Sequence, residues 1–254
     1  MPEPPTPHSS PLTPLSSETV ILVHGLFLNG WEMALLRLRL AAVGYRMVQF
    51  TYPTVCVSPE KNAKDLQAFI DRRVETETLH FVTHSLGGLV IRYLFHDFPK
   101  QRPGRIVTMG TPHQGSSVAA SLSHTLSGRL LLGESFEHGL SGDVPPWTHG
   151  HEIGVIAGSA GIGMGLLVTY LSRPNDGTVA VVETYLPNAT DHITIPVSHV
   201  GMLLSDEVIY QTRYFLRHGR FNPRKCCRSL EMDAECQPQS ITDQSSLWSQ
   251  KGKC

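Results

Sequence analysis

The chain has 254 residues, enough to bury the core of one well-packed domain. Its 21 Lys and Arg against 22 Asp and Glu leave a formal net charge of -1, which argues against the basic footprint of a nucleic-acid binder and against a strong acidic field. No run of about 18 apolar residues occurs, and even Ile153–Leu171 is broken by five glycines and a serine, so neither a membrane span nor stable membrane insertion is expected.

In chain order, residues 1–17 read as a disordered, proline-rich leader: six prolines fall among the first eighteen residues, with Ser and Thr between them. The stretch has neither the basic start nor the apolar centre of a signal peptide, and a cytoplasmic setting is the expectation that follows. Residues 18–221 alternate strand-like and helix-like segments. That alternation predicts one α/β domain, with a compact, mostly parallel sheet of about six strands covered by helices on both faces. Strand Thr19–Val23 is followed by helix Trp31–Val43, and strand Arg46–Thr51 by helix Glu60–Val74. In the latter, Ala63, Leu66, Phe69, Ile70 and Val74 share one face, behind Ser58 as N-cap and Pro59 at the first helical position. Strand Leu79–Thr83 runs into helix Leu86–Phe98. Strands Arg105–Met109, Ile153–Ala157 and Ile193–Val197 complete the sheet, and helix Asp206–His218 closes the domain.

Residues 113–151 interrupt this rhythm, being far longer than an ordinary connection of about 4–6 residues. They are expected to form a small cap or lid-like insertion of helix and loop, with Phe136, Leu140, Val144 and Trp147 along one wall of a modest pocket. Residues 222–254 are polar and aperiodic, and are expected to lie outside the fold. Four of the five cysteines, Cys226, Cys227, Cys236 and Cys254, crowd into that tail, apart from Cys56. Their odd total and the lack of a second close pair or nearby His argue against both a disulfide framework and a zinc site, so no metal is expected. Gly161-Ile162-Gly163-Met164-Gly165 lacks the spacing of a dinucleotide loop and the Lys-Ser/Thr of a phosphate loop. It reads as a flexible turn, and no cofactor is expected.

The chemistry concentrates at Leu79-His80-Phe81-Val82-Thr83-His84-Ser85-Leu86-Gly87-Gly88, a strand passing through a serine into an apolar helix. This is the pattern of a nucleophile elbow, which lifts a serine hydroxyl above the sheet edge at a helix N-terminus, where backbone N–H groups stabilise a developing oxyanion. Small residues are required two before and two after the serine, because strand and helix backbones approach closely there. Gly87 meets that need, whereas Thr83 stands where glycine is commoner.

Four segments together resemble the bacterial lipases and esterases with the α/β-hydrolase fold, particularly the small, nearly lidless ones: Ile21-Leu22-Val23-His24-Gly25-Leu26, then Thr83-His84-Ser85-Leu86-Gly87-Gly88, then Gly110-Thr111-Pro112-His113-Gln114-Gly115-Ser116, and finally Asn175-Asp176-Gly177 with Ser198-His199-Val200-Gly201. The resemblance implies an oxyanion hole made by the backbone N–H groups of Leu26 and Leu86. Gly25 would let the main chain approach the substrate, and His24 would buttress the loop. Phe27, His84 and His113 complete the expected substrate-binding set.

A serine nucleophile needs a base, and 13 histidines are available. His199 follows the last strand, at the carboxyl edge of the sheet, and is the expected base. The side chain of His84 is not expected to point back at Ser85; His113, His124, His138, His149 and His151 lie in or beside the insertion, and His192 is on the wrong edge. The orienting acid should fall between nucleophile and base in chain order, and Asp176, in a turn-forming Asn-Asp-Gly run, fits better than Asp143 or Asp191. The expectation is a carboxylic ester hydrolase acting through an acyl-enzyme on Ser85, with short to medium acyl groups preferred and a small-molecule or lipid ester as its partner. Acyl transfer or thioester hydrolysis by the same three residues is the alternative, and a non-catalytic binding module a more distant one. Nothing in the sequence sets the oligomeric state.

Overall fold

A computed structural model describes residues 18–148 and 150–223. The leader 1–17, His149 and the chain beyond Pro223, with Cys226, Cys227, Cys236 and Cys254, lie outside the described residues. Strands β1 (Glu18–Val23), β2 (Arg46–Phe50), β3 (Thr78–His84), β4 (Ile106–Met109), β5 (Ile153–Gly158) and β6 (Asp191–Ile195) form one sheet in the order β2-β1-β3-β4-β5-β6. Every pairing is parallel. From β1 the chain goes to one side for β2 and then to the other for β3 and its successors. The crevice beyond the carboxyl ends of β1 and β3 is therefore the switch point at which open α/β sheets bind ligands.

The helices are α1 (Ala34–Ala41, entered through a 3-10 turn at Trp31–Met33), α2 (Pro59–Arg73), α3 (Leu86–Asp97), α4 (Ser117–Ser123), α5 (Leu126–Leu132) and α6 (Asp206–His218). Local chemistry sets their ends. Ser58 caps α2 by accepting the Lys61 N–H, Ser205 caps α6 by accepting the Val208 N–H, and Gly219 stops α6 in the left-handed conformation at φ 70°.

Alternating strand residues serve two cores, as a sheet covered on both faces requires. Ile21, Val23, Phe81, Ile106 and Val155 pack with α2 and α3 on one face, while Val20, Leu22, Val82, Val107 and Ile156 pack with α1 and α6 on the other. The last strand differs from expectation. Asp191 to Ile195 pair in register with Gly154 to Gly158, so β6 starts two residues before Ile193, and the chain turns away where the Val197 N–H bonds the Ile195 carbonyl.

The insertion 113–151 holds α4 and α5; Leu126, Leu130 and Leu131 of α5 are exposed, but its other large apolar side chains pack inward. Leu132, Leu140 and Trp147 belong to the core on the α3 side, with Phe136 and Val144 packed against it. Leu140 and Trp147 therefore do not line a pocket wall, contrary to the sequence-based expectation: they are 5% and 2% exposed. Buried Arg92, on α3, ties both ends of the insertion down by donating to the carbonyls of His113 (2.7 Å), Val144 (3.2 Å) and Pro145. At the other boundary Phe221 is buried and the Asn222 N–H donates to Gln211 Oε1 at 2.8 Å, so Asn222 still packs with the domain.

Candidate active site

β3 hands the chain to α3 at Ser85, whose φ of 51° and ψ of -121° lie where non-glycine residues are rarely found. Neighbouring bonds hold the turn: the Ser85 N–H donates to the Met109 carbonyl (2.9 Å), and Thr111 Oγ1 donates to the Ser85 carbonyl (2.9 Å). Gly87 is needed because a Cβ there would collide with the Val23 and His24 carbonyls, and Gly88 because a Cβ would strike Thr111. Thr83 is accommodated as an interior strand residue, in register with Val23 on one side and Thr108 on the other.

Asp176 and His199 meet at the same edge of the sheet. Asp176 is fully buried, and its Oδ1 accepts the N–H groups of Thr178 (2.9 Å) and Val179 (2.7 Å), which fixes the carboxylate. Its Oδ2 lies 2.7 Å from His199 Nδ1, and its own carbonyl accepts the His199 N–H at 2.9 Å. A carboxylate facing Nδ1 keeps the proton there and leaves the Nε2 lone pair available. Gly110, at φ 59°, provides room for this pair: a Cβ would come within 2.9 Å of His199 Nδ1 and 3.3 Å of Asp176 Oδ2. Among the described residues the Ser85 hydroxyl makes no hydrogen bond to the imidazole.

Leu26 follows β1, and its N–H has no acceptor among the described residues; Leu86 is the first residue of α3, where no intrahelical carbonyl can reach its N–H. Next to Leu26, Phe27 is 55% exposed at a positive φ of 61°, its N–H held by Thr54 Oγ1 at 3.2 Å. His24 shores this loop from below. Its Nδ1 donates to the Gly25 carbonyl (3.0 Å), its Nε2 accepts the Tyr52 N–H (3.3 Å), and its ring stacks on Tyr52. Burial keeps His24 below the usual imidazole range.

Two expected substrate contacts are placed elsewhere. His84 is 1% exposed and lies against His199, and His113 is 2% exposed, with Nε2 on Thr108 Oγ1 at 3.1 Å. Neither imidazole reaches the surface. Burial pushes His84 down to about 3 and His113 well below the usual value, so both are neutral at any ordinary pH. Asp143 pairs with His138 at an exposed site (3.1 Å), and Asp191 accepts the Phe221 N–H (2.8 Å). Sequence reasoning missed Tyr52, Thr54 and Arg92, which carry no motif, and gave Gly110 and Thr111 no role although it quoted them.

Among the described residues no group of His, Cys, Asp and Glu is placed to hold a metal, and no helix is long and apolar enough to cross a membrane.

A family model described as a domain of unknown function (DUF7379) matches residues 4–127. No curated protein sequence matches the chain. Among solved structures, the mature form of the Bacillus licheniformis lipase BlEst2 is similar at 21% identity and a TM-score of 0.60, over 85% of this chain and 96% of that one. The carboxylesterase CesB of Bacillus subtilis is similar at 14% identity and a TM-score of 0.50, over 80% and 84%. RedJ, a thioesterase of the prodiginine pathway in Streptomyces coelicolor, is similar at 13% identity and a TM-score of 0.52, over 86% and 96%. With its six-stranded parallel sheet, its helices on both faces and these neighbours, the chain has the α/β-hydrolase fold.

Proposed function

We propose that this protein is a serine hydrolase that cleaves carboxylic esters, with Ser85 as nucleophile, His199 as base and Asp176 as its orienting acid. The observation that carries the reading is the buried 2.7 Å bond between Asp176 and His199, at the sheet edge where the backbone of Ser85 is turned out at the start of α3. Ser85 Oγ attacks the ester carbonyl and gives its proton to His199 Nε2. The tetrahedral oxyanion is received by the N–H groups of Leu26 and Leu86. The carbon–oxygen bond to the alcohol then breaks, with His199 returning the proton to the leaving oxygen. Water, deprotonated in turn by His199, attacks the acyl-enzyme, and the acid leaves as the bond to Ser85 Oγ breaks and His199 returns the proton to that oxygen.

Short and medium acyl groups are the proposed substrates. In support, Leu132, Leu140, Trp147 and the Arg92 bonds tie the insertion to the domain, and its exposed leucines, Leu126, Leu130 and Leu131, lie on the seven-residue helix α5, too short an apolar face to cover a wide acyl groove. Phe27 and Val200, both largely exposed beside the proposed oxyanion hole and base, offer a modest apolar surface for the acyl chain. Similarity to RedJ favours thioester hydrolysis as a second reading.

The experiment is a series of p-nitrophenyl esters from acetate to palmitate, run beside an acyl thioester, together with fluorophosphonate labelling. Turnover and label should both vanish in Ser85→Ala. Labelling without ester turnover but with thioester turnover selects the second reading, while no labelling of the folded protein defeats both. A rate maximum at palmitate, rising sharply at an oil–water interface, would refute the chain-length proposal.

A further inference from the structure

Three bonds hold the backbone and ring of His199, and only two come from Asp176. The third comes from His84: its Nε2 lies 3.1 Å from the His199 carbonyl, and the two rings are in tilted contact at a centroid distance of 4.7 Å and an interplanar angle of 47°. Since a carbonyl only accepts, Nε2 must carry the proton of the His84 ring. Its other nitrogen, Nδ1, is buried without a partner and packs against Gly25, where even a Cβ would approach to 3.0 Å. We propose that His84 is a positioning residue for His199, fixing the carbonyl and ring plane of the base from beneath so that its Nε2 is aimed at Ser85. The inference rests on the assignment of His199 as the base.

Several features separate this role from mere filling of space. The His199 N–H and Nδ1 are both bonded to Asp176, so without His84 every hydrogen bond to the residue comes from one side and its carbonyl loses its donor. A positioned base tolerates little of this, because a displacement of about 1 Å costs on the order of 10²-fold in rate. The positioning group must also remain uncharged, since His199 becomes an imidazolium in the transition state. The ionisable groups facing His84 are His24 and His199, and burial together with the closeness of His199 keeps its ring neutral. A neutral ring at this distance spares the imidazolium the repulsion that a second cation would exert. His84 sits beside the nucleophile in sequence because the residue before Ser85 ends β3 and points under the sheet edge, toward the loop that carries the base.

The test uses two variants of the full-length protein. His84→Phe keeps a planar ring but removes the donor, and His84→Gln removes the ring but keeps an N–H at about the same reach. With p-nitrophenyl butyrate, His84→Phe should lose on the order of 10²-fold in kcat at unchanged KM, and His84→Gln should recover most of that loss. The proton NMR signal of His199 Nδ1–H, expected far downfield, should broaden or shift in His84→Phe and persist in His84→Gln. Wild-type kcat in His84→Phe would overturn the proposal, and so would equal losses in the two variants. Should the wild-type protein turn over no ester at all, the functional assignment fails. The NMR comparison then still decides the geometric claim, which is refuted by an unchanged resonance in His84→Phe. If His84→Phe does not fold, the His84→Gln pair of readouts decides alone: loss of rate and of the resonance together overturns the proposal.

Discussion

Ser85 is held in an unfavourable backbone conformation because the hydroxyl must clear the sheet edge, and the surrounding residues maintain that strain through bonds to both of its backbone groups. Asp176 is built the opposite way, with no positive φ at its centre and both carboxylate oxygens bonded: two N–H groups on Oδ1 and the imidazole on Oδ2. Asp176→Asn keeps the shape but removes the charge facing an imidazolium. By analogy with the serine-protease triad, a loss on the order of 10⁴ in kcat is expected, with little change in thermal stability. Single-turnover kinetics on a p-nitrophenyl ester would measure it, and near-normal turnover would move the acid elsewhere, with Asp143 and Asp191 the residues to test next. Gly110→Ala probes the same pair from the backbone. Its φ of 59° is costly for alanine, and the added methyl meets the His199 ring, so kcat should fall and stability drop by about 1–3 kcal/mol. An alanine variant with unimpaired kcat would mean that the ring tolerates displacement.

At the scale of elements, α3 carries the Leu86 N–H proposed for the oxyanion in its first turn and Arg92, which binds three carbonyls of the insertion, in its second half. Burial lowers this guanidinium to about 10, which leaves it charged at neutral pH. Arg92→Met should strand those carbonyls, at a cost on the order of 3 kcal/mol, or roughly 6–12 °C in Tm. Thermal unfolding followed by circular dichroism would show it, and an unchanged Tm would mean that the insertion is held by its apolar contacts alone. The sequence could not reveal this clamp, because an arginine in an amphipathic helix carries no sign of what lies opposite it. The same limit hid the true destinations of Leu140 and Trp147: apolar residues in a long connection fit a pocket wall or a core equally well until the connection is folded. Five of the six strands, by contrast, were legible almost to the residue, since β-branched runs bounded by turns admit few other conformations. The last began two residues early because Asp191 and His192 are polar, and their pairing with β5 leaves no hydrophobic trace. Ser85, Asp176 and His199 were named by motif and chain order. His84 and His113 were not assignable that way, unlike His24, whose place under the loop the resemblance implied, because burial, which settles whether an imidazole meets substrate or packs beneath the site, is a property of the fold alone.

Over the whole molecule, a chain of formal net charge -1 with several buried imidazoles has a definite acid sensitivity. Burial lowers the affinity of His24, His80, His84 and His113 for protons below the usual value near 6.5, to about 3 for His84. In the unfolded chain all four titrate near 6.5, so as the pH falls through that value the unfolded state takes up protons that the folded state refuses. Stability present above pH 6.5 is therefore lost progressively as the pH drops toward the folded values, in the direction that linkage requires when the unfolded state binds more protons. For His84, lowered to about 3, the loss is about 2 kcal/mol by pH 5, since one unit of separation is worth about 1.4 kcal/mol, and His113 adds to it in the same direction. Urea unfolding at pH 7, 6 and 5 should show stability falling faster between 6 and 5 than between 7 and 6, where the unfolded imidazoles are only partly protonated. His84→Gln removes one of these groups without removing its bond to His199, so the variant should lose less stability over the same interval, by about 1 kcal/mol per pH unit. A wild-type stability that stays flat from pH 7 to 5, or a variant with the same slope as the wild type, would show that these rings take up protons in the folded state and are not sealed from water.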